Sequence, residues 1–214
     1  MMKLLLVRHG QTLWNHTGRY QGHSDIELSD TGRTQAKLLA GRLADEEIQA
    51  VYASDLKRAM ETASIIAEPH GLAVQALPGL RELNFGAWEG LTYAEIKTRY
   101  SDIADNWHAS PGQIHIPEGE TFQELTTRAN SAIAGLIEKH DPATVAVVAH
   151  GGTIRAIVCA LLGIDLNNVF RIRQDNGALN VIDYYDGYGI LGLLNDIHHF
   201  EPGRGSGANS VFNR

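Results

Sequence analysis

The sequence predicts an α/β protein: a three-layer α/β/α sandwich with helices on both faces of a mainly parallel sheet. Short apolar runs alternate with helix-period segments along the chain, the pattern of successive βα units. Runs such as Leu4-Leu5-Leu6-Val7 and Val145-Ala146-Val147-Val148-Ala149 are apolar at every position, which marks buried strands. Two of these runs end abruptly in a histidine and a glycine, at the strand ends where open α/β sheets gather ligands.

Each element follows from local signals. The first strand covers about residues 3 to 7, and a polar loop rich in Gly, Asn, His and Gln runs from Gly10 to Glu27. Ser29 or Asp30 caps a helix with Ala36, Leu39, Ala40 and Leu43 on one face. Residues 48 to 53 form a second strand. Ser54 or Asp55 caps the next helix, with Leu56, Ala59, Ala63 and Ile66 inward and Pro69 ending it. A shorter strand spans 72 to 76. From Pro78 to Pro117 the texture changes to short helical signals and a Pro111-Gly112 pair. This stretch reads as an excursion covering the active site, not a separate domain. Thr92-Tyr93-Ala94-Glu95 and Thr121-Phe122-Gln123-Glu124 have the capping-box pattern. The second opens a long helix through Leu125, Ala129, Ala132, Ile133, Leu136 and Ile137. The β-branched run 144–149 is a strand of the central kind, and a helix through Ile154, Ile157 and Leu161 follows it. Two closing strands, 179–184 and 190–194, flank an Asp186-Gly187 turn. A single domain thus covers residues 1–201. The Gly- and Ser-rich stretch 202–214 is expected to be a disordered tail.

At 214 residues, 43% hydrophobic and 20% charged, the chain has the size and composition of one ordinary globular domain. A net charge of −7 with no long basic run argues against a nucleic-acid partner. The single cysteine, Cys159, lies in an apolar run and reads as a small buried hydrophobe. One cysteine allows no intrachain disulfide, which suits a cytoplasmic location. No run is long enough for a signal peptide or a membrane span. The sequence allows a homodimer through an apolar edge without identifying one.

Four segments carry chemistry. Arg8-His9-Gly10 closes the first strand, where a permanent cation beside an imidazole suits a nucleophile facing a phosphate. His150-Gly151-Gly152 repeats the arrangement after the central strand. Arg58 falls in the first turn of a helix, where free N–H groups already favour an anion and the guanidinium fork matches phosphate oxygens. Glu82, in Arg81-Glu82-Leu83-Asn84-Phe85-Gly86, sits among apolar residues and could serve as a proton donor. Each has a plainer alternative: chance strand-end histidines, an exposed helix arginine, a loop glutamate paired with Arg81. No Cys pair or His-x₃-His pair has metal-ligand spacing, so neither a metal nor another cofactor is expected.

Together these motifs resemble the histidine phosphatase superfamily, also called the phosphoglycerate mutase-like family, over roughly residues 2 to 200. Leu6-Val7-Arg8-His9-Gly10-Gln11-Thr12 with Trp14-Asn15 resembles its phosphohistidine signature, and Ser54-Asp55-Leu56-Lys57-Arg58-Ala59 its second phosphate-binding motif. Arg81-Glu82-Leu83 with Trp88-Glu89-Gly90 is similar to the proton-donor segment, and Val147-Val148-Ala149-His150-Gly151-Gly152 to the last motif. The resemblance implies a phosphoglycerate mutase-like fold and a metal-independent phosphomonoesterase acting on a small phosphorylated metabolite. In that scheme a neutral His9 takes the phosphoryl group and Glu82 serves first as acid, then as base. Arg8, Asn15, Arg58, His150 and Gly151 surround the phosphoryl oxygens, with Arg8, Arg58 and His150 also counted among the catalytic residues.

The family's mutases look longer between the glutamate and the second histidine and carry paired arginines there. Here only Arg99 and Arg128 occur, unpaired, which favours hydrolysis over a cofactor-dependent mutase. More specific α-ribazole or phosphoserine phosphatases are further readings, although phosphoserine enzymes would carry a histidine near position 85, where Phe85 stands. A non-catalytic phospholigand-binding domain fits least, because every motif is intact. Specificity is expected from the segments 18–25, 85–117 and 195–200, with Gln21, His23, Trp107 and His108 as candidate pocket residues.

Overall fold

The computed structural model describes residues 1–200; the expected disordered tail, 202–214, lies outside them. Their elements are β1 (Met2–Arg8), α1 (Leu13–His16), α2 (Asp30–Leu43), β2 (Ile48–Ala53), α3 (Lys57–Ala67) and β3 (Val74–Ala76). Then come α4 (Tyr93–Arg99), α5 (Ser101–Trp107), α6 (Phe122–His140), β4 (Thr144–Ala149), α7 (Gly151–Leu162), β5 (Leu179–Tyr185) and β6 (Tyr188–Asp196). The strands form one sheet in the order β3-β2-β4-β1-β5-β6. β1, β2, β3 and β4 pair in parallel, while β5 is antiparallel to both β1 and β6. The mainly parallel sheet of the sequence reading is therefore present.

The unbroken apolar runs bury both faces of the central strands. Leu4 and Leu6 of β1 join Val145 and Val147 of β4 and the buried faces of α6 and α7 in one core cluster. Leu5 and Val7 point the other way and pack with Ala146, Val148, Leu39 of α2 and Ile66 of α3 in a second. That period-2 split is what alternating Cβ directions require of a covered strand. At 25 cal/mol per Å², each fully buried leucine or valine contributes about 2 kcal/mol before entropy is counted.

Local signals set most boundaries. Ser29 caps α2 by accepting from Gly32 N, and both predicted capping boxes form, Thr92 with Glu95 and Thr121 with Glu124. A third box, Thr12 with Asn15, opens the short α1, which the polar composition of that loop concealed. Asp186 and Gly187 both have positive φ, as a two-residue hairpin turn between β5 and β6 demands. The expected cap of α3 does not form. Leu56 occupies that position without a side-chain bond, and the Asp55 carboxylate instead receives Arg81 Nε at 2.7 Å and a second guanidinium nitrogen. An arginine fork offers a carboxylate more than a single amide does. β3 is also shorter than read, starting at Val74.

Candidate active site

β1 and β4 are neighbours in register, Arg8 opposite Ala149, so the residues that follow each strand meet at one edge of the sheet. The His9 and His150 rings stand 5.1 Å apart, centroid to centroid, at 62°. Both histidines are almost wholly buried, at 2% and 0% exposure. His9 lines a cavity of about 410 Å³ together with Arg8, Arg58, Glu82 and Gly151, the residue that follows His150. The four sequence motifs therefore converge on one site.

The hydrogen bonds fix each ring. His9 Nδ1 lies 2.7 Å from Gly10 O; a carbonyl only accepts, so Nδ1 carries the proton and Nε2 keeps its lone pair. Thr62 of α3 anchors the turn by accepting from Gly10 N at 3.1 Å. Arg58 Nε donates to His150 Nδ1 at 3.2 Å, which makes Nδ1 the acceptor and puts the proton of a neutral ring on Nε2. His150 Nε2 and Arg8 Nε are both buried with no hydrogen-bond partner among the described residues. Burial, then Arg58 and Arg8, hold His9 well below the usual histidine range. Burial, then Arg58, His9 and Arg8, do the same to His150. His150 is thus a neutral ring with its proton on Nε2.

Arg58 is fully buried, which excludes an exposed helix arginine. Its terminal nitrogens donate to Gly22 O and Ser24 O, both at 2.8 Å, and burial pushes its pKa down to about 10. Glu82 is not paired with Arg81, which belongs to Asp55. The Glu82 carboxylate instead accepts from Gly152 N at 3.0 Å and Thr153 N at 3.2 Å, free amides at the start of α7. A Cβ at Gly152 would come within 2.5 Å of Glu82 Oε1, so a larger residue there would displace the carboxylate. The apolar setting read from the sequence is therefore replaced by backbone donors.

The remaining candidates divide. Asn15 and Gln21 line the cavity. Asn15 Oδ1 accepts from Thr12 N at 3.0 Å and from Asn176 Nδ2 at 3.2 Å, and Thr12 Oγ1 donates to Gln21 Oε1 at 2.9 Å. Trp107 and His108 form an aromatic wall with Phe85, Phe122 and Phe170, although Trp107 is mostly core, stacked on Phe122 at 5.5 Å. His23 is not part of the wall; its Nε2 reaches Glu82 O at 2.9 Å and serves the backbone behind the site. The segment 195–200 does not reach the cavity either. Asn195 instead holds Asp175, accepting from its N at 2.6 Å and donating to Oδ2 at 2.8 Å.

Sequence reasoning missed the wall formed by Arg155, Arg171, Gln174, Asp175 and Asn176. Arg155 had a signal: it follows Gly151 by four residues and so shares its helix face. Its Nε donates to Ile172 O at 2.7 Å, and burial, aided by Arg8, pushes its pKa down to about 10. The stretch 171–176 is irregular and has no periodicity to read. Among the described residues, no group of three or more His, Cys, Asp and Glu side chains could hold a metal ion. No helix among them is long and apolar enough to cross a membrane.

A fold of this topology with paired histidines and buried arginines at one strand edge defines a class of phosphoryl-transfer proteins. The model of the histidine phosphatase superfamily (branch 1) matches residues 4–197, and the chain belongs to that family. Phosphoserine phosphatase 1 of Hydrogenobacter thermophilus is 36% identical over 199 residues, covering 93% of this chain and 94% of the relative. Bacillus stearothermophilus YhfR superposes with a TM-score of 0.90 at 30% identity, covering 94% of this chain and all of that one. A mycobacterial glucosyl-3-phosphoglycerate phosphatase, solved in complex with VO3, gives 0.86 at 31% identity, over 92% of this chain and all of that one. The chain is accordingly a histidine-phosphatase-type phosphoric monoester hydrolase.

Proposed function

We propose that the chain hydrolyses small phosphorylated metabolites through a phosphohistidine on His9, without a metal ion. The observation that carries this reading is the complementary tautomers: a lone pair on His9 Nε2 beside two buried donors, His150 Nε2 and Arg8 Nε, with no partner among the described residues. His9 Nε2 attacks phosphorus and the ester bond breaks towards the alcohol oxygen, which takes a proton from the Glu82 carboxyl. A water then attacks the phosphoryl group, Glu82 takes its proton, the Nε2–P bond breaks with its electron pair returning to His9, and inorganic phosphate leaves. Fixed donors stabilise the transferring group at every stage, as phosphoryl transfer chiefly requires. Arg8, Arg58 and His150 supply them, together with Gly151 and Asn15 at the cavity wall.

Hydrolysis is favoured over a mutase reaction by the state of the two candidate arginines. Arg99 is exposed on α4, and Arg128 is engaged with Glu120 and three carbonyls, so neither lines the cavity. A relative from Yersinia pestis bears the name probable phosphoglycerate mutase, at 34% identity over 87% of this chain, so the distinction needs a direct test. The test is turnover of phosphoserine, phosphoglycerates, sugar phosphates and nucleotides in EDTA, with quenching in alkaline detergent to trap the phosphoenzyme. Phosphate release in EDTA and an acid-labile, base-stable label support the proposal. Loss of activity to chelation, or conversion of 3-phosphoglycerate to 2-phosphoglycerate faster than phosphate release, overturns it.

A further inference from the structure

We propose that Arg128 is the positioning residue for Glu82, clamping the irregular segment that carries the proton donor to the start of α6. Its Nε and Nη2 grip the Glu120 carboxylate at 2.7 and 2.8 Å. The same guanidinium donates from Nη1 to Gly79 O at 2.9 Å and Arg81 O at 2.7 Å, and from Nη2 to Glu82 O at 2.7 Å. Glu120 Oε2 closes the clamp by accepting from Asn84 N at 2.9 Å. The Arg128–Glu120 pair thus fastens the backbone before, at and after Glu82.

The segment needs such a fastening. Between the 3-10 turn at Pro78–Leu80 and that at Gly86–Trp88 the chain makes no helix or strand, so its carbonyls must find partners elsewhere. From the other side, Thr153 Oγ1 donates to Arg81 O at 2.8 Å, and the α7 amides hold the carboxylate itself. α7 therefore fixes the head of Glu82 and Arg128 its backbone. A lysine cannot replace this arrangement, because one ammonium group cannot face a carboxylate and three carbonyls at once. Arg128 does not line the cavity, so it acts through Glu82 and not on the substrate.

The inference rests on Glu82 being the proton donor, and the experiment separates the two. An alkyl phosphate such as β-glycerophosphate needs its leaving alcohol protonated, whereas 4-nitrophenyl phosphate leaves without help. General acid catalysis is worth roughly 10² to 10⁴ in rate, so a misplaced acid costs the first substrate far more than the second. For Arg128→Gln, kcat/KM should fall at least about tenfold on β-glycerophosphate and less than about threefold on 4-nitrophenyl phosphate. The inhibition constant of vanadate should stay unchanged. Equal losses on both substrates, no loss on either, or weaker vanadate binding overturns the proposal. Should Arg128→Gln not fold, Glu120→Gln carries the same test, with a smaller loss but the same preference between substrates. Glu82→Gln is the comparator. If it shows no such preference, the acid assignment falls and the clamp with it; if it does and Arg128→Gln does not, only the clamp falls.

Discussion

The ends of β1 and β4 carry the same short pattern, apolar strand, histidine, glycine, and lie side by side in the sheet. Their imidazoles are nevertheless prepared for opposite tasks. After β1 the chain turns into a loop, and His9 Nδ1 donates to the next carbonyl, leaving the lone pair on Nε2. After β4 the chain enters α7 directly, with His150 at the cap position, and Arg58 from α3 claims its Nδ1. His150 therefore presents an N–H where His9 presents a lone pair. Burial and the same two arginines keep both rings neutral, so charge does not distinguish them. The difference lies in which partner reaches Nδ1, a carbonyl one residue away or a guanidinium from another helix.

That contrast predicts unequal losses. His9→Ala removes the acceptor, and kcat/KM on 4-nitrophenyl phosphate should fall by about 10⁴-fold or more, with no acid-labile label. A near-normal rate or a persisting label would mean that the two rings have been assigned the wrong way round. His150→Ala removes one donor to the phosphoryl oxygens and should cost about 10² to 10³-fold while His9 still labels. His150→Gln, which keeps an N–H, should recover part of that loss; no recovery would argue against the donor role. The smallest effect concerns stability. Both histidines have folded pKa values below the ordinary 6.5, so the unfolded chain binds more protons as the pH falls. Their contribution is complete above about pH 6.5 and is lost below it, at up to about 1.4 kcal/mol per pH unit for each ring, until the folded-state pKa is reached. Urea midpoints measured from pH 7.5 to 5 should drop, and more gently for His9→Asn than for the unaltered protein. Parallel curves would remove His9 from the account.

Much of this was legible along the chain. The strands at 48–53 and 144–149 have the limits their apolar runs suggest, and both predicted capping boxes form, because such signals act within a few residues. Four motifs sufficed to nominate His9, Arg58, Glu82 and His150; the sheet brings the first three to one cavity and sets the His150 ring against His9 and Arg58. Failures cluster where a distant partner outbids a local one. Asp55 looked like a helix cap and was taken by Arg81; Glu82 looked apolar and was met by α7. His23 looked like a pocket residue because its loop borders the site, yet it bonds behind Glu82. The wall at 171–176 carried no pattern, since its position follows from β5 pairing beside β1, with Gly177 N bonded to Arg8 O at 3.1 Å.

The sequence by itself determined the βα alternation, the buried central strands, and the presence of an arginine-histidine pair at a strand end. These depend on side-chain periodicity and turn chemistry, which neighbouring residues express together. Tertiary structure alone decided which partner takes His150 Nδ1, what holds Glu82, and which residues wall the cavity. Those outcomes depend on hydrogen bonds between residues far apart in the chain, and a buried donor or acceptor takes whichever partner the packing delivers.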